Sequence, residues 1–352
     1  MNKEIKDAKH HGRIYQTGIY LGKFFRMFVF QSDWKVMPMS AIIAGLVAMV
    51  MGHSLFNNME GHLLGSFAIS CICVWNGFFN SIQVVCRERP IVKREHRSGV
   101  HISSYITAHT IYQAFLCLLQ TIITLFVFYK MNIKFPETGV FFSNIFIDLG
   151  VTIFLSIFAA DMLSLLVSCL VHNTTTAMTV MPFLLIFQLV FSSGFFALPE
   201  SVTWMSNLTI TKWSLTATCA QGQYNSLPMV AVWKSIKKMS SATVTTDQIK
   251  EFMLSNPELT ADPDPDTLML LATLESLPDD QTIAFSEIIN VIEQQPNGVY
   301  NFEIKCGELN QEPKYASTRD NVGKCWGCLA INILLYISLA TIALEFIDKD
   351  KR

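Results

Sequence analysis

Six long apolar runs limit what this chain can fold into. They fall at about 36–56, 63–86, 104–129, 143–171, 177–198 and 325–347. A helix needs about 20 apolar residues to cross roughly 30 Å of hydrocarbon. Inside lipid every backbone N–H and C=O must find a partner within the protein, and a helix supplies these partners along its own length. A barrel would show ten-residue segments of alternating polarity instead, and none occur. The runs therefore predict an all-α membrane protein with six transmembrane helices. Composition agrees: of the 352 residues 51% are hydrophobic and only 15% charged, against about 25% charged in soluble domains. These values exclude a disordered chain and a disulfide-dense secreted scaffold. A net charge of −2 leaves no basic field for nucleic acid. Residues 1–35 are mixed and charged, and no small-residue cleavage site follows the first run, so no cleavable signal is expected.

Charge at the ends of the runs sets an orientation. The first 35 residues carry seven Lys or Arg, and the 87–103 loop carries Arg87, Arg89, Lys93, Arg94 and Arg97, whereas 57–62 carries none. Positive-inside counting places both termini and the 87–103 loop in the cytoplasm. Residues 199–323 then fall outside, with sixteen Asp or Glu against eight Lys or Arg. Four domains are expected. Residues 1–35 form a cytoplasmic N-terminus, in which 13–31 has the pattern of an amphipathic helix lying in the interface. Residues 36–198 hold spans one to five, with a charged helix at 87–103. Residues 199–323 form a re-entrant segment and a large, acidic, mostly helical extracytoplasmic insertion, with short helices at 246–255, 264–275 and 282–295. Residues 324–352 carry the sixth span and a cytoplasmic C-terminus. The compartment is the plasma membrane, or the inner membrane of a two-membrane bacterium.

Catalytic motifs are missing. There is no G-x-x-x-x-G-K-[ST] phosphate loop, no H-E-x-x-H and no G-x-S-x-G, so the chain is not expected to be an enzyme by itself. Cys325-Trp326-Gly327-Cys328 is a lone C-x-x-C without a second pair, and no metal site is expected. Cys219 and Cys306 both fall in the outer segment, where a disulfide between them is possible; Cys325, Cys328 and free thiols are the alternatives. Asp148 and Asp161 lie within the fourth run. An intramembrane carboxylate can serve an ion-coupled carrier, but with no basic partner in another span a structural hydrogen bond is the better reading. Asn76, Asn80, Gln83, Gln113 and Gln188 fit helix-to-helix bonding by the same reasoning. Asn207-Leu208-Thr209 has the pattern of a glycosylation acceptor.

The stretch from Arg87 to Tyr105 is the most informative. Glu88 and Glu95 are seven apart and so share one face of a helix. The pattern E-R-x-x-x-x-R-E-x-x-S-G-x-x-x-S-S-Y resembles the first coupling helix of ATP-binding-cassette exporters of the G-subfamily type. Lys23-Phe24-Phe25-Arg26 is similar to that family's connecting helix, and Gly52-His53-Ser54-Leu55-Phe56 to the segment closing its first span. Phe191-Ser192-Ser193-Gly194-Phe195-Phe196 resembles the end of its fifth span. Leu198-Pro199 through Trp204, and Thr211-Lys212-Trp213-Ser214, resemble the short re-entrant helices that follow. The likeness covers the chain except about 226–323. The chain departs from the family in having no fused nucleotide-binding domain and a far longer outer segment.

The resemblance implies the transmembrane subunit of an ATP-driven exporter. It would pair with a second six-span half, identical or homologous, and with separate ATPase subunits that hold ATP and Mg; this chain would carry no cofactor itself. Glu88, Arg94 and Glu95 would couple to the ATPase. Trp75, Asn76, Phe79, Phe183, Phe187 and Val190 would line a cargo cavity, and Phe195 and Phe196 would form its valve. The cargo would be a hydrophobic or amphipathic drug, lipid or peptide. The alternative is a non-transporting receptor or anchor whose acidic outer domain binds a partner.

Overall fold

In the computed structural model of the chain, the described residues are 12–30, 34, 36–52, 54–192, 194, 198–227, 230, 243–245, 282–284 and 312–346. Ten α-helices lie among them: α1 (Arg13–Phe30), α2 (Val36–Met51), α3 (Met59–Ser81), α4 (Val84–Arg97), α5 (Ile102–Lys130), α6 (Ile145–Leu170), α7 (Thr174–Val190), α8 (Thr203–Ser206), α9 (Ile210–Gln221) and α10 (Arg319–Glu345). Two compact units divide the chain, one of 1–227 with 312–352 and one of 228–311.

Four segments are long and apolar enough to cross a membrane: α3 together with α4, α5, α6 and α10. The other two expected spans form shorter apolar helices, α2 of 16 residues and α7 of 17. At 1.5 Å per residue, 16 residues reach about 24 Å. Turns at Gly52 and at Phe191 end both helices before their apolar runs end. The expected coupling helix at 87–103 is α4, which starts three residues earlier and stops at Arg97. There Gly99 turns the chain with φ 95°, a left-handed conformation glycine adopts without a side-chain clash.

The core of the larger unit is α6. Most of its residues are buried, and it packs against α3, α5, α9 and α10. At Gly77 the two backbones of α3 and α6 all but touch: a Cβ there would stand 2.5 Å from the Ile157 carbonyl oxygen and 2.7 Å from the Asp161 nitrogen. Small residues permit this approach between helices in lipid.

Buried polar side chains join the helices. Asn80 and Gln120 exchange two hydrogen bonds of 3.0 Å between α3 and α5. Gln113 Nε2 donates to Ser81 Oγ at 2.8 Å. Cys117 Sγ donates to Asp161 Oδ2 at 3.4 Å. Asp148 accepts the Phe141 and Phe142 N–H groups, fixing the loop before α6. Gln188 Oε1 accepts the Ile210 N–H at 2.8 Å and so caps α9 from α7. These are the structural uses expected of the intramembrane polar residues.

The larger unit closes where the chain leaves for residue 228 and returns at 312. Asn225 Nδ2 donates to the Glu312 carbonyl at 2.9 Å, and the Glu312 N–H donates to Asn225 Oδ1 at 3.1 Å. Tyr224 packs on Tyr315 beside this clip, and burial pushes the Tyr224 hydroxyl up to about 12.

In the unit 228–311, β1 (Thr243–Thr245) and β2 (Thr282–Ala284) pair antiparallel, with Val244 opposite Ile283. This corrects the helix expected from residue 282 at its start. Thr243, Val244, Thr245, Thr282 and Ile283 are all β-branched and favour the extended chain. The other predicted helices of that segment, at 246–255 and 264–275, lie outside the described residues.

The Gly77 contact generates a stability prediction. Gly77→Ala should cost about 1–3 kcal/mol, because backbone rather than a flexible side chain must give way. Thermal unfolding of the purified protein in detergent should show a lowered midpoint. An unchanged midpoint would mean that α3 and α6 can part without loss.

Candidate functional site

Three helices assemble the charged end of the larger unit. On α1, Tyr20 and Phe24 are four residues apart and form its buried stripe, while Ile14, Ile19, Val29 and Phe30 stay exposed. The stripe packs on α5: Tyr20 meets Tyr105 edge-on at 5.4 Å, and Phe24 meets His109 at 5.2 Å and Tyr112 at 5.7 Å. The Ser104 hydroxyl donates to the Arg13 carbonyl at 3.1 Å, and the His101 N–H to Gln16 Oε1 at 3.0 Å, tying the start of α5 to α1.

Glu88 and Glu95 do share one face of α4, and that face turns into the chain. Glu88 is 6% exposed. Its Oε2 accepts the Tyr105 hydroxyl at 3.2 Å and faces Lys23 Nζ at 3.5 Å. Glu95 Oε2 accepts the Tyr20 hydroxyl at 2.6 Å. Burial, and then the Glu95 hydrogen bond, hold the Tyr20 hydroxyl well above its ordinary range, so it stays a donor. Arg94, the third residue of the predicted set, is exposed together with Arg87 and Arg97. The structure thus splits that set, with the acids bonded inward and the arginine facing outward.

A second anchor holds α4 to the end of α6. Arg89 Nη1 donates to the Cys169 carbonyl at 2.8 Å and the Val171 carbonyl at 3.1 Å, which lie at the C-terminus of α6. Cations favour helix C-termini, where carbonyls lack intrahelical partners. Ser168 Oγ accepts the Val85 and Cys86 N–H groups at 3.1 and 3.2 Å. Between α4 and the head of α7 lies an open cleft of about 670 Å³, lined by Arg87, Arg89, Lys93 and His172 among others. Sequence reasoning singled out neither Arg89 nor Tyr20 nor Tyr105 for these roles. The signal available was the basic residue near a helix end and the tyrosines spaced with the apolar stripe.

The predicted cavity residues separate as well. Trp75 and Phe79 are 42% and 41% exposed on α3, with ring centroids 5.6 Å apart. Phe183 and Val190 are exposed on α7, and Phe187 is half-buried, 4.9 Å from Phe191. Asn76 is turned the other way: it is 3% exposed and its Nδ2 donates to Ser40 Oγ of α2 at 3.0 Å. Phe195 and Phe196 lie outside the described residues, as does Cys306; Cys219 is buried on α9. Cys219, Cys325 and Cys328 are free thiols, so the structure does not carry the expected disulfide of Cys219. No group of three or more His, Cys, Asp or Glu able to hold a metal occurs among the described residues.

The ABC-2 type transporter family matches the chain over residues 18–220. No curated protein matches it. The matched stretch runs from α1 to α9 and includes every described element of the charged end. The chain therefore belongs to the ABC-2 type transporter family, and is the membrane permease component of an ABC transporter. It is a multi-pass membrane protein and is not itself the catalytic part of that transporter.

The inward acids define a test. Glu88→Leu leaves the buried Tyr105 hydroxyl without its acceptor, at a cost of about 1–3 kcal/mol. The Lys23 pair, which is partly exposed, adds about 0–1 kcal/mol. Hydrogen exchange of α1 amides should quicken in Glu88→Leu and stay unchanged in Arg94→Ala. Equal protection of α1 in both variants would show that Glu88 does not hold it.

Proposed function

We propose that this chain is one membrane half of an ATP-driven exporter. It joins a second six-span half and separate ATPase subunits that hold ATP and Mg. It moves a hydrophobic or amphipathic cargo, whether drug, lipid or peptide, out of the cytoplasm or inner leaflet by alternating access. In this reading both termini are cytoplasmic, α2 and α7 complete six spans, and the membrane is the plasma membrane or its bacterial inner-membrane equivalent. The observation that carries the reading is the division of α4: its acids are bonded to α1 and α5, while Arg94 is exposed and so is Arg87, which lines a basic cleft. A basic outward face suits an acidic docking surface on an ATPase, and opposed charge on two surfaces favours their encounter. A helix anchored on its other side would pass a push from below into three spans.

Trp75, Phe79, Phe183 and Val190 present an exposed aromatic and aliphatic face that suits a second half and an apolar cargo between the halves. Asn76 drops out of that wall unless its bond to Ser40 opens. Phe195 and Phe196 keep their assignment as the valve by resemblance alone. The extracytoplasmic domain of 199–323 is part of the same proposal.

The test is purification of the full chain in mild detergent from its source, followed by an ATPase assay of what travels with it. A Walker-containing partner should co-purify in stoichiometric amount. Arg87→Glu with Arg94→Glu should strip that partner, whereas Glu95→Gln should retain it and lower cargo-stimulated hydrolysis. A chain that purifies alone, under conditions that preserve other complexes, would overturn the exporter reading and favour the receptor or anchor.

A further inference from the structure

A partly open cavity of about 220 Å³ lies among α1, α3, α4 and α5, with Val36 of α2 and Met178 of α7 at its edge, and it shares only Arg87 with the basic cleft. Aromatic rings form part of its wall, with Phe24, His109 and Tyr112 in mutual contact. His109 and Gln113 are each 1% exposed and line it from α5. His109 Nδ1 and Gln113 Oε1 are fully buried and have no hydrogen-bond partner. Native proteins rarely leave such atoms uncompensated. The other end of Gln113 is held, since its Nε2 donates to Ser81 Oγ at 2.8 Å. Nε2 also donates to the Asn80 carbonyl at 3.5 Å, which the carboxamide oxygen could not do if the group were turned over. Phe79, Met178 and Arg87 are the exposed lining residues and mark the mouth.

The spacing selects a ligand chemistry. Residues four apart on a helix are stacked on one face, with Cβ atoms about 5–6 Å apart. One oxygen about 3 Å from each polar atom can bridge them. Gln113 Oε1 needs a donor. His109 Nδ1 donates or accepts according to its tautomer. With the proton on Nδ1, a hydroxyl meets both needs, accepting from His109 and donating its one proton to Gln113 Oε1. An ether or carbonyl oxygen cannot serve Gln113, and an ammonium cannot accept. An anion finds no cation at the floor, because Arg87 is at the mouth. The volume equals about seven water molecules at ~30 Å³ each, enough for a hydroxyl and the first carbons of a chain that continues past Phe79 and Met178.

We propose that this cavity is a binding site for a hydroxyl-headed amphipath of the long-chain alcohol type. The hydroxyl sits between His109 and Gln113, and the hydrocarbon leaves through the Phe79–Met178 mouth. The site stands on the walls and floor of one chain, so it does not depend on the export reading.

The test uses the full chain in lipid nanodiscs and a long-chain alcohol carrying a photoreactive diazirine near its hydroxyl end. Labelling should fall on peptides of α1, α3 and α5. Dodecanol should displace the probe at least ~10-fold better than dodecyl methyl ether, which has no proton for Gln113. Gln113→Leu and His109→Phe should each cut labelling by about 10-fold. Met178→Trp should block the mouth and abolish labelling without touching the polar floor, and it carries the test if Gln113→Leu does not fold. Equal displacement by alcohol and ether, or labelling that survives Met178→Trp, would overturn the proposal. Either result would leave water alone between His109 and Gln113 and mere partitioning of the probe. Labelling lost in Arg87→Gln would also overturn it, in favour of an anionic headgroup at the mouth.

Discussion

Backbone contact between α3 and α6 at Gly77 fixes the position of nearly everything else in the larger unit. Once α3 lies that close to α6, the residues flanking Gly77 are committed. Asn76 meets Ser40 on α2, Asn80 meets Gln120 on α5, and Ser81 meets Gln113. From the α6 side, Ser168 receives the start of α4. Thr152 Oγ1 accepts the Trp326 indole at 2.8 Å from α10 and donates to Gln221 of α9 at 3.0 Å. In lipid, apolar side chains gain little by leaving one hydrocarbon for another, so close packing and interhelical hydrogen bonds decide which helices meet. One glycine permits the packing, and the polar residues around it set the register.

The same constraint explains why the intramembrane carboxylates look structural. Asp148 is wholly buried and bonded to two backbone N–H groups of the loop before α6. Asp161 is also wholly buried; Cys117 donates to its Oδ2, while its Oδ1 is buried without a hydrogen-bond partner. Neither is among the lining residues of the two cavities described, whose polar groups come from α3, α4, α5 and the 172–175 stretch at the head of α7. Carboxylates in a carrier pathway face water or a substrate path, whereas Asp148 faces loop N–H groups and Asp161 faces the side chains of Cys117, Ser81 and Asn80.

Much of this was legible in the residues. The apolar runs located the helices because lipid leaves the backbone little choice. The seven-residue spacing of Glu88 and Glu95 placed them on one face. The direction of that face was not legible, because it depends on Tyr20 and Tyr105, which are 75 and 17 residues away along the chain from their respective acids. The cap on α9 was hidden for a similar reason. Thr209 at the N-cap makes no side-chain cap bond, and the acceptor comes from Gln188 on α7. Helix ends also moved. Apolar composition continues past Met51 and Val190, but the turns at Gly52 and Phe191 are set by tertiary packing rather than hydropathy. At 282–284 β-branched residues outweighed the amphipathic spacing once a partner strand lay opposite.

A coupling helix can transmit a push only if it is bound more firmly to its own spans than to the pusher. On α4 that requirement is met from three directions. Its acids bond α1 and α5, Arg89 and the Val85 and Cys86 amides bond the end of α6, and two residues, Ile82 and Gln83, join it to α3. Displacing it along any direction strains at least one of those helices. Its outward arginines are solvated and cost little to engage or release. In the proposed exporter this asymmetry lets the ATPase bind and part with each cycle while the link from α4 into the membrane persists. Reversing the arrangement, with arginines in place of the inward acids, would set positive charge beside Lys23 and remove the acceptors of the Tyr20 and Tyr105 hydroxyls. On α4 the acids thus face the hydroxyls and Lys23, Arg89 faces the carbonyl end of α6, and Arg87 and Arg94 are left to the outside.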